Sequence, residues 1–197
     1  KIIFRCKVSG FYTLLKLNWQ MIFSSFPKVS FDQDKKDILR SIKNVIENGN
    51  YINGENVKTF EKNFGKYINT KYAVGVGNAT DAIFLSLKAL NIGKNTEVIV
   101  PSHTAPATII AILNTGATPI FADINEDDFN IKTSEIVKKI TKKTRAIVIV
   151  HLYGLSADLN EILKISKKFK IKLIEDVSQA CGGTYYNKKL GSMGDTG

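Results

Sequence analysis

Four short apolar runs, residues 97–100, 118–122, 146–150 and 171–174, restrict this chain more than any other feature, because helical spacing fills the sequence between them. Continuous apolar runs this short are strands covered on both faces. Strands that alternate with helices return to one sheet through right-handed crossovers and so lie parallel. The expected fold is therefore α/β: a mainly parallel sheet with helices on both faces. A further β-branched run, Tyr72 to Val76, is expected to be a strand as well.

The helices are read from their spacing. Ile38, Ile42, Val45 and Ile46 predict a helix from Asp34 to the stop at Asn48-Gly49-Asn50. Val57, Phe60, Phe64 and Tyr67 share one face of a second helix after Gly54, and Ile83, Leu87 and Leu90 do so in a third over residues 79–90. Residues 104–114 are apolar almost all round, which predicts a fully buried helix. Ile136, Val137 and Ile140 stripe a helix over residues 133–142, and the pair Asp158 and Glu161 caps one that runs to Phe169.

Composition narrows the class. With 44% hydrophobic and 23% charged residues the chain has ordinary globular usage, which excludes collagen-like, disulfide-scaffold and wholly disordered proteins. The 28 Lys and Arg exceed the 18 Asp and Glu by ten charges, a balance that raises nucleic acid or an anionic surface as a partner. The distribution argues against both. Lys1, Arg5, Lys7 and Lys16 carry four of those charges within the first twenty residues, and the rest scatter over helix faces without an arginine stripe. Cys6 and Cys181 are the only cysteines and form no CxxC spacing, so neither a disulfide framework nor a metal site is expected. No apolar run reaches the roughly 18 residues of a membrane helix, and the basic start lacks the apolar core of a signal peptide. A cytoplasmic location is expected.

In parallel sheets ligands bind beyond the carboxyl ends of the strands. The segment Gly75-Val76-Gly77-Asn78-Ala79-Thr80-Asp81 opens directly into a helix, where exposed amides and a hydroxyl suit a phosphate; a tight turn capped by Asn78 is the alternative. The dinucleotide fingerprint is not met, since Thr80 stands at its third glycine. Asp176 follows the last run, and a carboxylate delivered there asks for a cationic partner such as a protonated ring nitrogen; capping of the next helix or pairing with a lysine is the alternative. Gln179, three residues on, could donate to an oxygen of the same ligand. His103 and His151 follow two other runs, where a histidine is either a structural hydrogen-bonding residue or part of a site.

Taken in order, Gly49-Asn50-Tyr51-Ile52-Asn53-Gly54, Phe60-Glu61, residues 77–82, 97–102 and 116–123, His151-Leu152-Tyr153-Gly154 and residues 175–180 carry a resemblance. From about Phe26 to Gly197 the chain resembles the DegT-type (DegT/DnrJ/StrS) family of pyridoxal-phosphate-dependent nucleotide-sugar aminotransferases, which share the aspartate aminotransferase (type I) fold. The resemblance implies that residues 26–197 are the N-terminal part of a cofactor-binding large domain, cut before its last strands. It implies a homodimer that moves an amino group from glutamate to a keto-sugar nucleotide. Thr80 and the amides of Ala79 and Asp81 would hold the cofactor phosphate, Asp176 would pair with the pyridinium nitrogen, and Gln179 would bond the ring hydroxyl oxygen. Tyr51 and His151 are carried over as substrate-binding candidates.

Departures from the family pattern qualify this. Ala105 stands where an aromatic residue usually stacks on the cofactor ring, leaving His103 as the nearby candidate, and Ala79 replaces a common glycine. The Schiff-base lysine of the family follows a GDxG motif, here Gly194-Asp195-Thr196-Gly197, and is expected beyond Gly197. The chain is accordingly read as a fragment that does not turn over alone, with residues 1–25 an extension and Met21 a candidate start. A sugar dehydratase of the same family and a non-catalytic regulatory relative are the competing functions.

Overall fold

The computed structural model describes residues 27–197 and divides into two units, residues 1–51 and 52–197. The expectation for residues 1–25 lies outside the described residues. In the first unit, helix α1 (Lys28–Asn48) begins six residues before the apolar spacing becomes visible. Its first turns carry the ion pair of Lys28 with Asp32, and Val29 and Phe31 there are exposed, so no buried apolar stripe announces them. The expected stop is present: Gly49 takes φ 70° and its N–H reaches the carbonyls of Val45 and Ile46.

The second unit starts with α2 (Glu55–Ile68), which ends on a left-handed Asn69. The expected strand at Tyr72 to Val76 does not form: those residues run extended, with Tyr72 75% and Val74 77% exposed and no ladder partner among the described residues. Side-chain pattern alone does not make a strand, since a ladder needs a neighbour to accept its backbone hydrogen bonds. Helix α3 (Ala79–Ala89) then leads to β1 (Glu97–Pro101), α4 (Pro106–Asn114) and β2 (Thr118–Ala122). Helix α5 (Thr133–Lys139), β3 (Thr144–Val150), α6 (Leu159–Phe169) and β4 (Lys172–Asp176) complete the alternation. The fold class is as the sequence predicts: four parallel strands in the order β2-β1-β3-β4.

The pleat sorts the core into two layers. Ile99, Ile147, Ile149 and Leu173 face Ile136 of α5 and Leu159 and Ile162 of α6. Val98, Val100, Ala146, Val148 and Ile174 face Ile83 and Leu87 of α3 and Ala111 and Ile112 of α4. Helix α4 departs from expectation: it starts at Pro106 and buries one side only, leaving Ile110 and Leu113 exposed. Its other apolar side has no cover among the described residues. A small antiparallel hairpin, β5 (Thr184–Tyr185) with β6 (Lys188–Lys189), follows β4 and turns through left-handed Tyr186 and Asn187. Strands of two residues have no period to read, so the sequence does not announce it. No helix among the described residues is long and apolar enough to cross a membrane.

Candidate active site

The carboxyl ends of the strands gather most of the residues singled out in the sequence. β4 extends through Asp176, which pairs with Val150 in the ladder and is half-buried. Its Oδ1 accepts from the N–H of Ser178 at 3.0 Å and from the Ser178 hydroxyl at 2.5 Å, while Oδ2 has no partner among the described residues. Asp176 lines an open cavity of about 240 Å³ together with Ala79, Ile83 and Ser86 of α3, Cys181 and Gly197. The helix N-terminus and the aspartate, nearly a hundred residues apart in sequence, therefore share one cavity.

At that N-terminus the Asn78 cap and the anion site coexist, with one correction. Asn78 Oδ1 accepts from the Asp81 amide at 2.9 Å, and Asn78 Nδ2 donates to Asp81 Oδ2 at 3.0 Å. The Asp81 amide is thus engaged within the chain rather than offered to a phosphate. The amides of Ala79 and Thr80 and the Thr80 hydroxyl make no hydrogen bond among the described residues, and the positive end of the helix macrodipole lies with them.

A second group sits between β1 and β3, where the winding direction of the sheet reverses and open α/β sheets form a crevice. His103, after β1, and Tyr153, after β3, meet at 3.1 Å between Nε2 and the phenol oxygen. Phe129 completes a triangle of rings with centroids 6.0 to 6.1 Å apart. Tyr153 (φ 55°) and Phe129 (φ 58°) are both left-handed, a conformation that costs a bulky residue about 1–3 kcal/mol and clusters at functional sites. The Tyr153 N–H donates to Gln179 Oε1 at 2.8 Å, which uses the carbonyl of that side chain and leaves its NH₂ group as the donor for a ligand oxygen. Tyr153 and Phe129 escape sequence reasoning because a tyrosine or phenylalanine in a loop has no chemical signature; the available clue is the position of Tyr153 directly after a parallel strand.

The substrate candidate His151 does not join this group. His151 is fully buried, accepts at Nδ1 from the Ala157 N–H (3.1 Å) and therefore donates from Nε2 to Glu175 Oε2 (3.2 Å) as the neutral ring, so both nitrogens are used inside the protein. Tyr51 belongs to the first unit, where its hydroxyl donates to the Ile46 carbonyl at 3.0 Å. Glu175, also unpredicted, is a buried carboxylate whose side chain has no exposed surface. Burial pushes its pKa up, but hydrogen bonds from His151 and from the amides of Gly191, Gly194 and Met193 outweigh that and hold it below the usual carboxylate value.

Known proteins share much of this sequence and fold. The sequence pattern of the DegT/DnrJ/EryC1/StrS aminotransferase family matches residues 32–197. The chain is 45% identical over 161 residues to a dTDP-3-amino-3,6-dideoxy-alpha-D-galactopyranose transaminase of Aneurinibacillus thermoaerophilus, covering 82% of this chain and 44% of that protein. It is 38% identical to a pleiotropic regulatory protein of Geobacillus stearothermophilus over 83% of this chain and 44% of that one. Among solved structures, S. venezuelae DesV in complex with a ketimine intermediate superposes with TM-score 0.83 at 35% identity, over 85% of this chain and 45% of DesV. NtdA from Bacillus subtilis with bound cofactor PMP gives 0.79 at 33% identity, over 88% and 41%. The chain spans about 44% of the length of the curated relatives it matches. From its sequence and its fold alike, the chain belongs to the DegT/DnrJ/EryC1/StrS aminotransferase family.

Proposed function

We propose that the protein carrying this chain uses pyridoxal phosphate to transfer an amino group from glutamate to a keto-sugar nucleotide, as a cytoplasmic homodimer. The observation that carries the reading is the shared cavity: Ala79, the first residue of α3, lines it together with Asp176. The residues present fit such a group. Thr80 and the amides of Ala79 and Thr80 would hold its phosphate. The open oxygen of Asp176 would accept from its protonated ring nitrogen and keep that proton in place, and the Gln179 NH₂ would donate to its ring oxygen. His103, fixed by Tyr153, would stack over the ring where Ala105 leaves no aromatic side chain. Bound there, pyridoxal phosphate supplies the electron-withdrawing ring that amino-group transfer requires.

In the family the chain resembles, the lysine that completes the reaction would follow the motif seen here as Gly194-Asp195-Thr196-Gly197. A second reading, sugar dehydration, is favoured by the 31% identity to a GDP-4-keto-6-deoxymannose-3-dehydratase, and the residue at the lysine position separates the two. The test is product analysis of the full-length protein with glutamate and a panel of keto-sugar nucleotides. Formation of an amino sugar and 2-oxoglutarate supports the proposal, and a deoxygenated sugar without net amino transfer supports the dehydratase. Absence of any pyridoxal phosphate binding would leave the regulatory role.

A further inference from the structure

One buried carboxylate, that of Glu175, lies outside the chemistry just described. Glu175 is adjacent to Asp176 on β4, so the pleat turns it to the opposite sheet face, towards Leu173, Leu159 and Leu190. All of its acceptor capacity is used. Oε1 accepts from the amides of Met193 (2.7 Å) and Gly194 (2.6 Å); Oε2 accepts from the Gly191 amide (2.9 Å) and from His151 (3.2 Å). Three of the four donors are backbone N–H groups of residues 191–194, which thus wrap a carboxylate inside the protein. The loop is built for that closeness: Gly191 has φ +87°, and a side chain at Gly194 would come within 2.7 Å of the Leu173 carbonyl.

Residues 195–197, beyond the loop, are tied to the same strand. Asp195 receives the Leu173 N–H on Oδ2 (2.9 Å) and Lys172 on Oδ1 (2.6 Å), and the Thr196 carbonyl accepts from the Glu175 N–H at 3.0 Å, in a parallel bridge of Thr196 to Ile174. Gly197 then lines the cavity that holds Asp176. A slip of one residue in this register would turn every following side chain to the other face.

We infer that Glu175 is a positioning residue: its carboxylate anchors residues 191–194 and thereby fixes where residues 195–197 run along β4 and the Asp176 cavity. An acceptor on both atoms is needed, because an amide at this position turns an NH₂ group towards N–H donors. His151 orients the carboxylate and in turn is oriented by the Ala157 amide. The anchoring stands on hydrogen-bond geometry alone; its bearing on cofactor binding rests on the function proposed above.

The test compares the full-length protein with Glu175→Gln and with Ile147→Val, a buried sheet substitution that lowers global stability without touching the loop. Amide hydrogen exchange, the rate at which Cys181 reacts with 5,5′-dithiobis(2-nitrobenzoate), and pyridoxal phosphate affinity are read on each. In Glu175→Gln the amides of Gly191, Met193, Gly194 and the Thr196-bonded Glu175 should exchange roughly tenfold faster or more, while β1 and β3 amides stay within about twofold of Ile147→Val. The labelling rate of Cys181, which lines the cavity, should change at least about threefold, and the cofactor dissociation constant should rise roughly tenfold. Loop exchange that rises only in step with the sheet overturns the anchoring, and an unchanged Cys181 rate overturns its reach to the cavity. If the unaltered protein binds no pyridoxal phosphate, the proposed function falls while exchange and labelling still decide this inference. Should Glu175→Gln not fold, Met193→Pro deletes one donor of the cage, leaves the carboxylate intact, and reads the same observables.

Discussion

Glu175 and Asp176 are neighbours on one strand and chemically alike, yet the protein treats their two surroundings in opposite ways. On one face, Glu175 is sealed from water and saturated by four donors, none of them a formal cation. On the other, Asp176 is half-buried at an open cavity and has one oxygen engaged by Ser178. Environment rather than residue type assigns the roles: a fully satisfied carboxylate organises the chain around it, and one left with an open acceptor can receive a ligand.

The difference can be broken from either side. The largest effect is expected at Asp176→Asn in the full-length protein: amino transfer should fall by about a thousandfold or more with little change in melting temperature, because the charge proposed to face the ring nitrogen is lost and the fold is not. Near-normal turnover of a folded variant would remove Asp176 from the site. Glu175→Leu should do the reverse, lowering stability by about 3 kcal/mol or more in urea unfolding, since three half-buried N–H groups lose their only acceptor at roughly 1–3 kcal/mol each. A loss below about 1 kcal/mol would show that water replaces the carboxylate.

Smaller effects sharpen the comparison. Thr80→Ala should weaken pyridoxal phosphate binding by about 1–3 kcal/mol, measured as the dissociation constant, and an unchanged constant would place the phosphate elsewhere. The smallest is a pH effect. Glu175 is held below its ordinary value in the folded state, so its ionised form contributes stability that is fully present above the unfolded pKa of about 4.3 and is lost as pH falls through the folded one. Urea midpoints taken between about pH 6 and pH 3 should therefore fall more steeply for the unaltered protein than for Glu175→Gln; parallel slopes would contradict the assignment.

Much of this molecule is legible in its sequence wherever the determining information is local. The strands β1, β3 and β4 are covered on both faces and so are written as apolar runs, and the caps at Asn78 and Asp158 are short-range bonds. Failures occur where a distant partner decides. Tyr72 to Val76 has strand composition but no ladder neighbour, and the apolar circumference of α4 cannot reveal which side remains uncovered. The bonds joining His103 to Tyr153 and Tyr153 to Gln179 span 50 and 26 residues, and the Glu175 cage closes over 16 to 19. No pattern within a window of ten residues encodes such contacts. Resemblance to a family supplied the roles proposed for Asp176 and Thr80, yet it offered His151 as a substrate contact where the fold has committed both ring nitrogens elsewhere.

The strand order has a consequence for how the chain reaches its native state. None of the four parallel strands can pair with its neighbour through a hairpin: Glu97 meets Thr118 across a loop that includes α4, and meets Thr144 only 47 residues on. Doubling a loop costs about 0.6 kcal/mol of closure entropy, which favours the units β1–α4–β2 and β3–α6–β4 over the longer-range β1–β3 pairing that joins them. In stopped-flow kinetics, Ile112→Val in α4, within the first of these units, should therefore slow refolding. Until β3 docks, one side of β1 remains an open sheet edge, so the transient most prone to misassociation is a half-built sheet rather than an unfolded chain.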